Sequence, residues 1–265
     1  MSDLKGLEWT FDTKASLYEK IRPGYVDDLY QTIFNYIPMN EFSHVVEVGI
    51  GGGQATLPLL QTGCRLTAVE YGENFSALCR EKFKDYKNFS VITGKFEEVE
   101  FNDNQYDLVY SASAFHWVPE EIGYTKVFSM LRSGGVFARF ANHPYRAKDN
   151  PALTEEIDKL YGLYYYKFYN EKQEYPEEYT EEAALRRAQI AQKYGFKDIS
   201  YAMFHRIRTF SAKEYIALIS TYSTHIAIEE TIRKEFFSKI EEAIETHGGK
   251  INVFDTMDLQ LARKP

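Results

Sequence analysis

His44-Val-Val-Glu-Val-Gly-Ile-Gly-Gly-Gly-Gln-Ala-Thr56 runs from an apolar stretch through a glycine-rich turn into the start of a helix. A second apolar run, Arg65-Leu-Thr-Ala-Val-Glu70, places a carboxylate seventeen residues after Gly53. Strand, loop, helix and a further strand ending in an acid make the local geometry of a nucleotide site. The glycines let the backbone approach a ligand, and the acid can accept hydrogen bonds from two ribose hydroxyls.

Charge and spacing narrow the nucleotide. A dinucleotide fingerprint has glycine at its first, third and sixth positions, so that pyrophosphate sits on a helix N-terminus. Here the glycines are Gly49, Gly51, Gly52 and Gly53, and the sixth position is Gln54. Glu47 stands just before the turn, where a carboxylate facing the cleft would repel pyrophosphate. No Gly-Lys-Ser/Thr follows, which excludes a P-loop. S-adenosyl-L-methionine carries an ammonium and a sulfonium and no phosphate, and is the cofactor these charges favour. The plain alternative is a tight βα turn that binds no nucleotide. A nicotinamide oxidoreductase is the least favoured enzyme class.

The 265 residues suffice for one α/β domain with an elaboration. With 31 basic and 39 acidic residues the net charge is −8, which argues against a broad phosphate-binding face or attraction to a membrane surface. No nucleic-acid or membrane partner is expected. Cys64 and Cys79 belong to no Cys-x-x-Cys or Cys/His cluster, so reduced packing cysteines and no metal are expected. The sequence has no apolar signal core and no bilayer-length apolar segment, which favours a cytoplasmic protein. Either a monomer or a homodimer is compatible with this composition.

Along the chain, strands are expected at 65–70, 89–94, 106–112 and 136–141, with helices over 54–61, 73–84 and 121–131. The last of these is expected to stop at Ser133-Gly134-Gly135. This alternation predicts a doubly wound, mostly parallel sheet with right-handed crossovers, a Rossmann-like α/β fold. From Pro144 the rhythm changes. Leu153, Ile157, Leu160, Tyr161, Tyr164 and Phe168 mark an amphipathic helix with Thr154 as its N-cap, and a further helix spans 180–194. A strand over 198–210, a capping box at Ser211-Ala-Lys-Glu214, a helix over 229–245 and a strand over 253–262 complete a mixed seven-stranded sheet. The expected organisation is an N-terminal helical segment over the cofactor site (1–43) and a cofactor-binding core (44–144). A helical cap insertion (145–196) and a C-terminal region that completes the sheet (197–265) follow.

The ordered set of motifs resembles the class I S-adenosylmethionine-dependent methyltransferases, in particular the small-molecule, trans-aconitate methyltransferase-like branch. The resemblance rests on Glu47-Val-Gly-Ile-Gly-Gly-Gly53, Glu70, Gly94-Lys-Phe-Glu97, Tyr106–Trp117 and Leu131–Val136. Tyr18-Glu-Lys-Ile-Arg-Pro-Gly-Tyr25 is similar to the branch's N-terminal segment. The resemblance implies that Gly49, Gly51 and Gly53 close on the methionine part of the cofactor and that Glu47 meets its ammonium. It implies that Glu70 takes the ribose hydroxyls, with Tyr71, Phe96 and Glu97 bordering the adenine. Lys95 stands where the family often has an acid, which leaves the adenine amino group to backbone partners. Ser111 would face the transferring methyl, and Arg22 would pair with the cofactor carboxylate or with an anionic substrate.

Methyl transfer needs a general base only where the acceptor must lose a proton. His116, after the fourth strand, and His143, after the fifth, are the candidates for that catalytic role. The tyrosines at 161, 164, 165, 166, 169, 175 and 179 give the cap apolar walls with hydroxyl tips, suited to a small-molecule substrate. Strand alternation sends Arg206 and Arg208 to one face and His205 to the other. With Tyr222 and His225, the arginines suggest a carboxylate or other anionic acceptor. Two rival readings share the fold: a tRNA- or RNA-modifying methyltransferase, and a non-catalytic S-adenosylmethionine-binding protein.

Overall fold

A computed structural model describes residues 21–146, 149–175 and 177–265. The first 20 residues of the expected N-terminal segment, Tyr18 among them, lie outside the described residues. The chain forms a seven-stranded sheet whose first five strands are β1 (His44–Val48), β2 (Arg65–Glu70), β3 (Phe89–Thr93), β4 (Tyr106–Ala112) and β5 (Leu131–Arg146). The last two are β6 (Lys197–Ser211) and β7 (Lys250–Arg263), and the order across the sheet is β3-β2-β1-β4-β5-β7-β6. Strands β3, β2, β1, β4 and β5 pair in parallel. Hydrogen bonds from Gly134 N–H to the Lys264 carbonyl and from Lys264 N–H to the Gly135 carbonyl join the start of β5 to the end of β7, so these two run antiparallel.

The winding reverses between β1 and β4, and in such sheets the crevice beyond the carboxyl ends of those strands receives the ligand. Val45, Val46 and Val48 of β1 are all buried, as suits a central strand covered on both faces. Helices α1 (Asp27–Tyr36), α2 (Leu57–Leu60), α3 (Glu73–Lys82) and α4 (Glu120–Met130) accompany this part of the chain. Leu29, Ile33, Leu59, Leu66 and Phe140 belong to one apolar cluster, while Val46, Val109, Val127 and Phe137 belong to another.

Three local expectations are corrected. Helix α2 covers only the end of the expected 54–61 span, because Gly51 and Gly53 have φ of 52° and 73° and their turn delays the helix. Ser133-Gly134-Gly135 lies inside β5 rather than closing a helix. The register there jumps from Tyr106↔Leu131 to Leu108↔Val136, and Gly134 takes φ 78° at the irregularity. Helix α5 (Pro151–Leu160) is capped by Asn150, whose Oδ1 accepts from the Leu153 N–H at 3.3 Å, with Pro151 opening the first turn. Thr154 is therefore interior to the helix.

The chain divides into two compact units. One contains Arg22, Pro144–Glu178 and His205–Asp255; the other contains Pro23–His143, Tyr179–Phe204 and Thr256–Pro265. The 145–196 segment is thus shared between them, with Tyr179 onward in the second. In the first unit, α5 is followed by a π-helical turn (Tyr161–Tyr166) and by the short α6 (Lys167–Tyr169). The helix α7 (Glu181–Gln189), capped by Thr180 as its sequence indicates, belongs to the second unit. The first unit also holds α8 (Ala212–Ile219), α9 (Ser223–Ile226) and α10 (Glu230–Thr246), packed through Leu218, Phe236, Ile240 and Ile244. Among the described residues no helix is long and apolar enough to cross a membrane.

The capping box at α8 is reciprocal: Ser211 Oγ accepts from the Glu214 N–H, and Glu214 Oε2 accepts from the Ser211 N–H at 2.8 Å. Replacing Ser211 by Ala removes one half of it at an exposed position. The expected outcome is a loss of about 1 kcal/mol in urea unfolding, with Ser211→Thr close to the parent. A Ser211→Ala protein as stable as the parent would contradict this role for the cap.

Candidate functional site

The turn after β1 is fixed by its backbone. Gly49 has φ 75° and donates to the Val69 carbonyl at 2.9 Å; a Cβ there would lie 2.4 Å from that of Ala114. Gly53 has φ 73°, and its Cβ would lie 2.6 Å from the Phe83 ring. Side chains would be strained and crowded at both places. Cys79 Sγ donates to the Gly51 carbonyl and Lys82 Nζ to the Gly52 carbonyl, so α3 grips the same turn.

Glu70 ends β2 as expected. Its Oε2 accepts from the Gly51 N–H at 2.8 Å and its Oε1 from the Gly72 N–H at 2.9 Å. The carboxylate thus ties the turn after β1 to the turn after β2. An ionised carboxylate offers about four lone-pair sites, so these two bonds leave acceptor capacity for hydroxyls.

Glu47 is wholly buried. Its Oε2 accepts from Thr56 Oγ1 at 2.8 Å and from the Tyr110 hydroxyl at 2.7 Å, while Oε1 has no hydrogen-bond partner among the described residues. Burial pushes its pKa up to about 8, so at neutral pH the carboxyl is mostly protonated. The expectation that Glu47 stands as a preformed negative charge is therefore corrected. It is a desolvated acid that ionises when a cation arrives.

The remaining cofactor candidates separate. Tyr71 is 52% exposed at the end of β2, with Lys95 Nζ 5.8 Å from its ring centre and Glu98 3.7 Å from Lys95. Phe96 is buried in the core beside Phe101, which corrects its expected place at the cofactor. Glu97 is half-buried, and its carbonyl, with those of Phe96 and Val99, is held by Lys126 Nζ. Ser111 is fully buried and donates to the Val48 carbonyl at 2.7 Å, so it stitches β4 to β1 and does not face a reacting group. Ser113, two residues on, is the exposed one. It has φ 54°, shares a 2.8 Å hydrogen bond with the Tyr25 hydroxyl and accepts from the Asn142 N–H. A polar residue just beyond the strand end was the available signal for Ser113, and Tyr25 was already within a quoted motif.

In the other unit, Arg22 donates from Nε to Thr221 Oγ1 at 3.0 Å and lies 4.3 Å over the Tyr222 ring. Arg206 and Arg208 do share a face, and the buried Asp255 occupies it: Arg206 Nη2 is 2.9 Å and Arg208 Nε 2.6 Å from its Oδ2. His205 lies 3.6 Å from Glu178. His225 is buried against Tyr161, whose hydroxyl is 3.0 Å from Nε2; burial and then the charges of Arg22 and Arg146 push it down to about 3.

Both candidate histidines belong to the second unit. His143 Nε2 is 2.9 Å from Asp258 Oδ1, and its ring stacks on Tyr179 with centres 3.7 Å apart. Arg187 Nη1 bonds both oxygens of the buried Asp258 at 3.1 Å. Burial alone would raise Asp258, but the His143 hydrogen bond and the Arg187 charge hold its pKa below the usual range. His116 lies in the turn after β4; burial, then the charges of Arg139 and Arg187 and the His143 ring, push it down to about 4. It is neutral at pH 7. Among the described residues no group of three His, Cys, Asp or Glu side chains could hold a metal ion.

Residues 46–138 match the family model described as a methyltransferase domain. An uncharacterised methyltransferase-like protein of Schizosaccharomyces pombe is 22% identical, over 89% of this chain and 86% of that one. An uncharacterised methyltransferase of Bacillus thuringiensis is 29% identical, over 58% of this chain and 75% of its own length. Among solved structures, a putative type II methyltransferase from Anaeromyxobacter dehalogenans aligns with TM-score 0.62 and 18% identity, over 91% of this chain and 97% of that one. Phosphoethanolamine N-methyltransferase 2 of Haemonchus contortus, in complex with S-adenosyl-L-methionine, aligns with TM-score 0.55 and 17% identity, over 96% of this chain. The chain spans only 57% of that protein's length. These structural likenesses establish the shared fold.

The buried Glu47 has a consequence for stability. The folded state keeps its proton up to about pH 8, whereas an ordinary carboxyl releases it near 4.5. Between those values the folded protein binds more protons, so this residue's contribution to stability falls as pH rises. In ligand-free protein, Glu47→Gln should remove that slope, on the order of a few kcal/mol across the window. Urea unfolding at pH 5 and pH 8 measures it. Equal slopes in parent and variant would contradict a raised pKa.

Proposed function

We propose that this chain, a class I S-adenosylmethionine-dependent methyltransferase, moves the methyl group to a small-molecule acceptor placed beyond the carboxyl ends of β4 and β5. The observation that carries the reading is the pair of acids around the positive-φ turn: Glu70 fastened to Gly51 and Gly72, and Glu47 buried with an unpartnered Oε1. A buried acceptor atom without a partner fits a cationic ligand group, and the glycine cradle fits close approach of a ligand to the backbone.

The bound cofactor supplies a methyl carbon on a cationic sulfur, an electrophile that needs no activation by the protein. In this proposal the backbone of Gly49, Gly51 and Gly53 borders its methionine part and Glu47 receives the ammonium. Glu70 receives the ribose hydroxyls through the lone pairs its backbone bonds leave open. Tyr71, Lys95 and Glu97 flank the base. Arg22 stays assigned to the cofactor carboxylate only through the family resemblance. The likeness to the trans-aconitate methyltransferase-like branch belongs to the same proposal.

Holding an acceptor atom in line contributes most of the acceleration, up to roughly 7–11 kcal/mol for well-oriented reactants. Where the acceptor must lose a proton, His143 is the better-placed base. Donation from its Nε2 to Asp258 leaves Nδ1 as the basic nitrogen, and the stack on Tyr179 fixes the ring plane. The acidic net charge of −8 supports a small acceptor over RNA.

Incubation of a metabolite extract with methyl-labelled S-adenosylmethionine should give a low-mass labelled product and leave tRNA unlabelled. Glu70→Ala should abolish the product by weakening cofactor binding. His143→Asn should lower kcat by about 10²–10⁴-fold if the methylated atom carries a proton, with the affinity for S-adenosylhomocysteine kept. Label found only in tRNA, or in nothing across the extract, would overturn the small-molecule reading.

A further inference from the structure

The second unit holds an uneven charge cluster near the ends of β4 and β5. Arg187 and His143 share Asp258, as described above. Arg139, on β5, is outside that arrangement: its Nη1 donates to the Tyr124 hydroxyl at 3.1 Å and its guanidinium lies 5.3 Å from the Phe115 ring centre. Its Nε is buried without a hydrogen-bond partner among the described residues. Arg139 and Arg187 are close enough to repel each other; burial first, and then the Arg187 charge, lower the Arg139 pKa. Tyr179 is hydrogen-bonded to Arg187 and feels both Asp258 and Arg139. His116 feels Arg139, Arg187 and His143 together.

Two guanidinium groups therefore face one carboxylate, and the histidine between them is neutral. A desolvated guanidinium with an unused N–H is costly unless an anion completes it. The cluster is reachable, because the side chains of His143 and Arg187 are 28% and 17% exposed.

We propose that Arg139 and Arg187 form the receptor for a single carboxylate group on the methyl acceptor. This rests on the small-molecule reading above and names the acceptor's chemical class. A planar fork of N–H donors matches a carboxylate in shape. The excess is one positive charge, so one negative charge balances it, whereas a phosphate dianion overshoots. The same anion relieves the repulsion on His116 and raises its affinity for a proton. Acceptor binding is thereby coupled to the basicity of a ring beside the reacting region.

The test uses the full chain saturated with S-adenosylhomocysteine, in a buffer free of carboxylate and phosphate. Butyrate, butyramide and methyl phosphate serve as probes, followed by ligand-detected NMR. Butyrate should bind about tenfold or more tightly than butyramide and more tightly than methyl phosphate, and it should raise the titration midpoint of His116. Arg139→Gln should erase the preference for butyrate over butyramide, while Arg139→Lys keeps part of it.

Equal binding of butyrate and butyramide by the parent protein overturns the proposal without recourse to any variant. So does an Arg139→Gln protein that still binds S-adenosylhomocysteine and retains the preference. A preference for methyl phosphate transfers the site to phosphorylated compounds and also overturns it. The outcome is separable from that of the labelling experiment: butyrate selectivity with no methylated metabolite would sink the small-molecule reading and leave an anion site standing.

Discussion

The two hydrogen bonds that Glu70 accepts, from Gly51 N–H and from Gly72 N–H, hold the ligand end of the sheet together. Each has an ionised acceptor, the stronger class of hydrogen bond. They cross from the turn after β2 to the turn after β1, where the positive-φ glycines leave no side chain to brace the backbone. Cys79 and Lys82 add bonds to the Gly51 and Gly52 carbonyls from below. The turn is thus preorganised before a ligand arrives, and ordering it does not have to be met from binding energy.

Glu47 works by a different electrostatic rule. Two acids beside one turn first suggest a negative mouth that selects a cation by attraction. Burial changes this for Glu47, because desolvation outweighs the hydrogen bonds from Tyr110 and Thr56. Glu70 is partly open and bonded to backbone N–H groups, which favour its charge. One acid is a standing anion and a hydrogen-bond acceptor; the other becomes an anion only with its partner. The preference for a phosphate-free cation survives, but its source is the cost of leaving Glu47 Oε1 unsatisfied.

What could be read from the sequence was what local chemistry decides. The strands at 65–70 and 106–112 lie where their apolar runs put them, Ser211 and Glu214 make their box, and Glu70 ends its strand. Features that depend on a distant partner were not legible. Ser111 and Ser113 look alike in sequence, and only the pairing of β4 with β1 assigns the first to the Val48 carbonyl. Phe96 sits in a motif associated with the cofactor, yet the packing of Phe101 and Val69 draws it into the core. Asn150 outcompetes Thr154 because Pro151 fixes the first turn one step earlier. Gly134 was a helix stop by composition, but β4 recruits the preceding residues into a bulged strand.

The arginines make the same point about charge. Arg206 and Arg208 share a face by alternation, which is all that the sequence can say. Each sends its Nε and Nη2 to the two oxygens of Asp255, so a single buried carboxylate takes up both forks. Asp258 meets a different set: Arg187 by one nitrogen, His143 by its Nε2 and Gln260 by its amide. Its oxygens are occupied by one cation and two groups that can be neutral, and Arg139 is left outside that set. Two arginines for each carboxylate is the ratio in both places, but the geometry of sharing differs. A shared acid neutralises a pair internally, whereas an acid committed to other donors leaves a guanidinium to be completed from outside the chain.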